Sequence, residues 1–228
     1  MNAKAGSTSK VHIKSRQRVR DLAEVYTHER EVDEMLDLVR EMFPSADDPG
    51  NTDKKFLEPS CGSGNFLEAI LRRKLAFVTT SRFGMGGEYE HRILRAAASV
   101  YAIDIDTENV MESRDRLRAL IARKMDDAMS TRSVSKGFSG ALEVILETNI
   151  LRADALKDAD SIRFIDYQAG QAGTFTREWA PLKERDDLFM FLDVERDGHP
   201  VHYSELVKHP GPVAATVPRR VTKNSKIA

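Results

Sequence analysis

Three short polar stretches carry residue types that could hold a nucleotide-like ligand. The first is Glu58-Pro59-Ser60-Cys61-Gly62-Ser63-Gly64-Asn65, set between apolar Phe56-Leu57 and an apolar-periodic stretch beginning at Phe66. Glycines at 62 and 64 can take positive φ and let the backbone approach a ligand closely. A helix starting just behind them offers unpaired N–H groups to an anionic group. The second is Asp104, which closes an apolar run over 100–103, where a carboxylate can accept both hydroxyls of a ribose. The third is Asp154, a few residues beyond Ile150-Leu151, able to accept from an exocyclic amine. Each has a plainer reading: turn-forming glycines, a strand-end cap, an ordinary turn aspartate. Together they predict a nucleoside-containing cofactor lying across three strand ends. A phosphate loop of the G-x-x-x-x-G-K-[ST] kind is absent. A dinucleotide fingerprint would put glycine where Leu67 stands and an acid about 20 residues further on, not as far away as Asp104. Cys61 has no base paired to it in sequence and reads as a small loop filler, not a nucleophile.

The elements that must position these residues follow from apolar spacing. Val32, Met35, Leu36, Leu38, Val39 and Met42 predict an amphipathic helix over roughly 29–42, with Pro44 helping to stop it. Phe56-Leu57 opens a strand, and Phe66, Leu67, Ile70, Leu71 and Leu75 mark the helix after the glycine turn. A second helix is expected near 88–98, a strand over 100–103, and a long helix over 107–129. A third strand follows at 149–151, and the apolar runs 162–167, 174–179 and 188–194 read as further strands. Strands alternating with helices predict an α/β fold, with a mostly parallel sheet covered by helices on both faces. In such a sheet ligands sit outside the carboxyl ends of the strands, where the strand order reverses.

The stretch 56–67, F-L-E-P-S-C-G-S-G-N-F-L, resembles almost letter for letter motif I of S-adenosylmethionine-dependent DNA adenine-N6 methyltransferases, the modification subunits of restriction systems. Residues 100–106 are similar to their motif II and 149–156 to their motif III. Ala23-Glu24-Val25-Tyr26-Thr27 is similar to their motif X, with His28 where that motif has proline. The resemblance spans about 23–156 and keeps the order X, I, II, III. It implies a Rossmann-like class I methyltransferase fold with S-adenosyl-L-methionine as cofactor and DNA as partner. It would set Tyr26 and Thr27 at the methionine end, and Glu58, Gly62 and Gly64 in the cradle. Asp104 would take the ribose hydroxyls, Ile105 the adenine face and Asp154 the adenine amine.

That family also needs [DNS]-P-P-[YFW] after the fourth strand. The first side chain and a backbone carbonyl accept the two amine hydrogens, and the aromatic ring stacks on a base flipped from the duplex. The prolines here are 44, 49, 59, 181, 200, 210, 212 and 218, no two adjacent, so the motif does not exist in this chain. Phe175-Thr176-Arg177-Glu178-Trp179 is the best substitute, similar to an F-S-E-W stretch of short modification-subunit-like chains of bacteria and phages. Trp179 could stack on a base while Glu178 accepts from its amine; equally, Trp179 could anchor a strand in the core. His199, His202 and His209 lack a fourth ligand and predict no metal site.

Charge divides the chain into three regions. Residues 1–20 hold six Lys or Arg and the last ten hold four, neither with an acid, leaving 25 positive against 36 negative residues between them. The expected organisation is a basic flexible arm over 1–22, a cofactor-binding domain over 23–197, and an irregular basic tail over 198–228 that truncates the fold at its carboxyl side. Such arms suit an anionic polymer, or they are simply solubilising ends. One cysteine, no apolar leader and no apolar run long enough to span a bilayer predict a cytoplasmic protein, bacterial or phage-encoded by the resemblance. The functions in play are a DNA adenine-N6 methyltransferase and a cofactor-binding pseudoenzyme serving as a restriction-modification partner or phage modulator. A methyltransferase acting on protein or small molecules is a third.

Overall fold

A computed structural model describes residues 27–128, 134–182 and 195–215. Strands β1 (Phe56–Glu58), β2 (Val100–Asp104) and β3 (Ile150–Arg152) form a parallel sheet in the order β1-β2-β3. Glu58 lies beside Ala102 and Asp104 beside Arg152, so the carboxyl ends align. β2 is buried along its whole length, and its sequence is accordingly a continuous apolar run closed by one acid.

Parallel strands need long crossovers, and here they are helical. Ahead of the sheet stands α1 (Glu29–Asp37), shorter than the apolar spacing predicts, followed by a 3-10 turn at Arg40–Met42. Between β1 and β2 come α2 (Asn65–Leu75), α3 (Thr80–Phe83) and α4 (Gly87–Ala98). Between β2 and β3 come α5 (Thr107–Ala128) and α6 (Lys136–Asn149), the latter not anticipated from the sequence. Lys74 on α2 is buried and donates to the carbonyls of Thr52 (3.0 Å) and Lys54 (2.5 Å) beneath the Phe56 ring, which draws the approach to β1 onto the helix.

Among the described residues the helices do not flank both faces. Val100, Ala102 and Ile150 share one core with Leu71, Ile93, Leu117 and Ile145 of the helices. On the opposite face Tyr101, Ile103 and Leu151 pack against Ile162, Phe164 and Leu182. The reason is topological: right-handed crossovers stepping in one direction, from β1 to β2 to β3, keep their helices on one side. A reversal of strand order would be needed to bring helices to the other.

Nor, among the described residues, does the sheet continue in parallel. β4 (Arg163–Ala169) and β5 (Thr174–Pro181) form an antiparallel hairpin through a turn with Gly173 at φ +78°, and β6 (Glu195–Arg196) and β7 (Val201–His202) add to β5. The expected strands at 162–167 and 174–179 therefore exist but build a separate four-stranded sheet, while 188–194 falls outside the described residues. The hairpin meets the parallel sheet at its amino ends. Lys55 pairs with Asp166 (2.7 Å), the Tyr101 hydroxyl donates to Ile165 O (3.3 Å), and Ile165 N–H donates to the Asn149 side chain (3.4 Å).

Residues 198–215, read from the sequence as the start of an irregular tail, pack onto this sheet. Val201, Tyr203 and Leu206 are buried, and a 3-10 helix at Tyr203–Lys208 lies on α6. The buried pair Arg177–Asp197 (2.9 Å) fastens the segment, with Arg177 also donating to the carbonyls of His209 and Gly211 and Asp197 accepting from Val213 N–H. Among the described residues no helix is long and apolar enough to cross a membrane.

Candidate functional site

The carboxyl edge of the parallel sheet gathers most of the residues singled out by the sequence. The glycine loop leaves β1 and is tied to the end of β2 by the Cys61 N–H, which donates to Ile103 O (3.0 Å). Gly62 (φ +52°) and Gly64 (φ +90°) both sit in the left-handed region that favours glycine, but their surroundings differ. A Cβ on Gly64 would stand 2.8 Å from Ser113 Oγ and 3.0 Å from Ser113 Cα, so this glycine lets α5 press against the loop. A Cβ on Gly62 would meet nothing within 4 Å, so the loop face there is open to a ligand.

Asp104 is nearly enclosed and holds the site together. Its Oδ2 accepts from the Gly62 N–H (2.8 Å), while Oδ1 accepts from the Asp106 N–H (2.8 Å) and the Asn109 side-chain amide (3.3 Å). The carboxylate expected to accept from a ligand is thus also the strand-end cap. Next to it Ile105 is 51% exposed, an apolar surface at the place where the resemblance puts an adenine ring. Glu58 accepts from Ser60 N–H (3.2 Å), and burial pushes its carboxyl above the ordinary range. Burial likewise pushes the Cys61 thiol up to about 12, beside Ser113 Oγ at 3.7 Å, so it is a protonated filler and not a nucleophile.

The loop after β3 is joined to the same edge by Ala153 N–H, which donates to Asp104 O (3.0 Å). Asp154 there serves its own turn: Oδ1 accepts from the Leu156 and Lys157 N–H groups (3.0 and 3.1 Å). The Lys157 N–H above all holds its carboxyl below the usual range. Oδ2, 3.3 Å from Lys157 Nζ, faces a flexible, exposed partner and can be offered to another donor.

Thr27 also reaches the loop. Its carbonyl accepts from Asn65 Nδ2 (3.3 Å), and Asn65 Oδ1 accepts in turn from Arg116 (2.5 Å). Tyr26 lies outside the described residues. Sequence reading missed the backing of the site, the stripe Asn109, Ser113 and Arg116 on α5, where Ser113 Oγ donates to Gly62 O (3.0 Å). The signal was present: Asn109 and Ser113 are polar residues at i, i+4 on the helix face that also carries buried Val110 and Leu117.

Glu178 and Trp179 are not brought to this edge. They pair with Asp166 and Ile165 in the hairpin, at the amino ends of the parallel strands. The five residues of β2 separate the two edges by roughly 13 Å at the rise of an extended strand. Trp179 packs on the core with the Arg177 guanidinium over its ring (4.9 Å), and Glu178 pairs with Arg196 (2.6 Å). His199 and His202 turn to their own neighbours, Pro200 O and Ser204 Oγ, and no group of metal-ligating side chains forms among the described residues.

The fold and this edge define an α/β protein whose three-stranded parallel sheet carries a glycine loop, a strand-end carboxylate and an apolar shelf. No protein-family model, curated protein or solved structure matches the chain.

Proposed function

We propose that the chain binds S-adenosylmethionine across the carboxyl edge of its parallel sheet, as a domain of the DNA adenine-N6 methyltransferase type. The observation that carries this reading is the convergence of Gly62, Asp104 and Ile105, with Thr27 held at the head of α2. Gly62 leaves its loop face open beside the exposed Ile105, a surface on which a flat ring can lie. The residues fit the group: an acidic acceptor for a ribose hydroxyl, an apolar shelf for adenine, and glycine at the point of closest approach. Bound there, the cofactor supplies an electrophilic methyl on its sulfonium.

A second observation favours binding without transfer. An amine acceptor pair and a stacking aromatic must stand beside the sulfonium for in-line attack, and Glu178 and Trp179 stand at the other edge. The reading is therefore a cofactor-binding pseudoenzyme that works with a restriction-modification partner or on DNA through its basic ends. Calorimetric titration with S-adenosylmethionine tests the shared premise. We expect binding by the wild type, weakened at least about tenfold in Ile105→Asp, which opposes the adenine face with a charge. Labelled cofactor incubated with unmethylated DNA separates the two activities. Retained binding with no label in the DNA is expected, and label transferred by the chain alone would establish an enzyme instead.

A further inference from the structure

We infer that this edge reads one ribose hydroxyl and not two, an inference that rests on the adenosyl reading above. A carboxylate offers about four lone-pair directions, and the chain itself uses three of those on Asp104. Oδ1 is filled by the Asp106 N–H and the Asn109 amide, and Oδ2 has already taken the Gly62 N–H. One direction on Oδ2 remains. None of the three internal bonds is free to leave. The Asp106 N–H belongs to the turn that starts α5. The Gly62 amide is fixed from both sides, by Cys61 N–H on Ile103 O and by Ser113 Oγ on Gly62 O. Asn109 is 3% exposed, so its amide is enclosed beside Oδ1.

Asn109 is on this account a positioning residue. It closes Oδ1 and leaves the acceptor capacity of Asp104 on Oδ2, next to the open face of Gly62. The ligand class is an adenine nucleoside in which one of the two vicinal hydroxyls donates to Asp104 and the other makes no bond to it.

Competition against labelled S-adenosylmethionine by adenosine, 2′-deoxyadenosine and 3′-deoxyadenosine, with the full chain, tests this. In the wild type one deoxynucleoside should compete within about twofold of adenosine, and the other about tenfold more weakly, the size of one hydrogen bond to a charged group. Asn109→Ala reopens Oδ1, so the tolerated deoxynucleoside should then also fall behind adenosine. A merely structural Asn109 would weaken all three competitors alike, and that result would overturn the inference. So would a wild type that rejects both deoxynucleosides equally, or neither. Asn109→Ser, with the same expected pattern, serves if Asn109→Ala does not fold. Wild type that binds no S-adenosylmethionine brings down the adenosyl reading and this inference with it, whereas binding with equal rejection of both analogues brings down the inference alone.

Discussion

Two glycines separated by one serine do different work in the loop, and substitution separates them. Alanine at Gly62 carries the cost of a left-handed backbone, about 1–2 kcal/mol, with room for its methyl. Alanine at Gly64 carries that cost and also drives a methyl into Ser113, an overpacking cost of about 1–3 kcal/mol more. Urea unfolding should therefore rank Gly64→Ala as clearly the more destabilised of the two. Adding Ser113→Gly to Gly64→Ala should recover only the steric part. Equal losses at the two glycines would contradict the packing of α5 on the loop. Glycine's freedom at both positions is legible in the motif itself; which of the two faces a helix and which faces open space is not. That depends on α5, whose contact residue lies 49 positions downstream of Gly64.

At the scale of elements, α6 shows how a small residue decides packing. Gly137 and Gly140 sit one turn apart in it. A Cβ on Gly137 would come 2.3 Å from Ser204 Cβ and 2.5 Å from Ser204 Cα, and one on Gly140 would come 2.7 Å from Val207 Cγ2. Alanine is the better helix former by about 1 kcal/mol, so an isolated helix would gain from Gly137→Ala. In the protein the backbone of the 203–208 helix stands in the way, and we expect a net loss of about 1–3 kcal/mol in denaturant unfolding. A stabilised Gly137→Ala variant would show that the C-terminal segment does not dock there. The helix itself was open to reading, since Phe138, Ala141, Leu142, Ile145, Leu146 and Asn149 line its buried face at helical spacing. The hairpin of β4 and β5 was legible as two strands, but their antiparallel pairing and their place at the amino edge were not. Alternation marks a strand and says nothing of its neighbours.

For the whole molecule, the Arg177–Asp197 pair joins the hairpin to the segment beyond it. Both side chains are fully buried. Burial opposes the charge on Asp197, yet the Arg177 guanidinium and the N–H groups of Val213 and Arg177 hold its carboxyl below the usual range. Removing one partner leaves an uncompensated charge in the interior, so Arg177→Met should cost about 3–5 kcal/mol. Replacing both, as Arg177→Met with Asp197→Leu, should cost markedly less than the single change. Thermal or urea unfolding of the two variants against the wild type measures this, and a harmless Arg177→Met would mean the pair is not enclosed. The same clamp explains why the chain from 198 to 215 belongs to the folded body despite its prolines and weak periodicity. Its order comes from Val201, Tyr203 and Leu206 buried in the core and from backbone carbonyls held by the distant Arg177, contacts that leave little local pattern.

The amino-acid sequence by itself determined the α/β class, three strands alternating with helices, the glycine loop and the acid at the end of β2, because each rests on local periodicity or on one residue's backbone freedom. Only the tertiary structure decided that the described helices lie on one face, that Glu178 and Trp179 stand across the sheet from Asp104, and that Asp104 spends three acceptor directions on its own chain. Those are consequences of strand order and of contacts between residues dozens of positions apart. Spacing along the chain cannot encode them, since the same elements could be threaded in another order with the same local pattern.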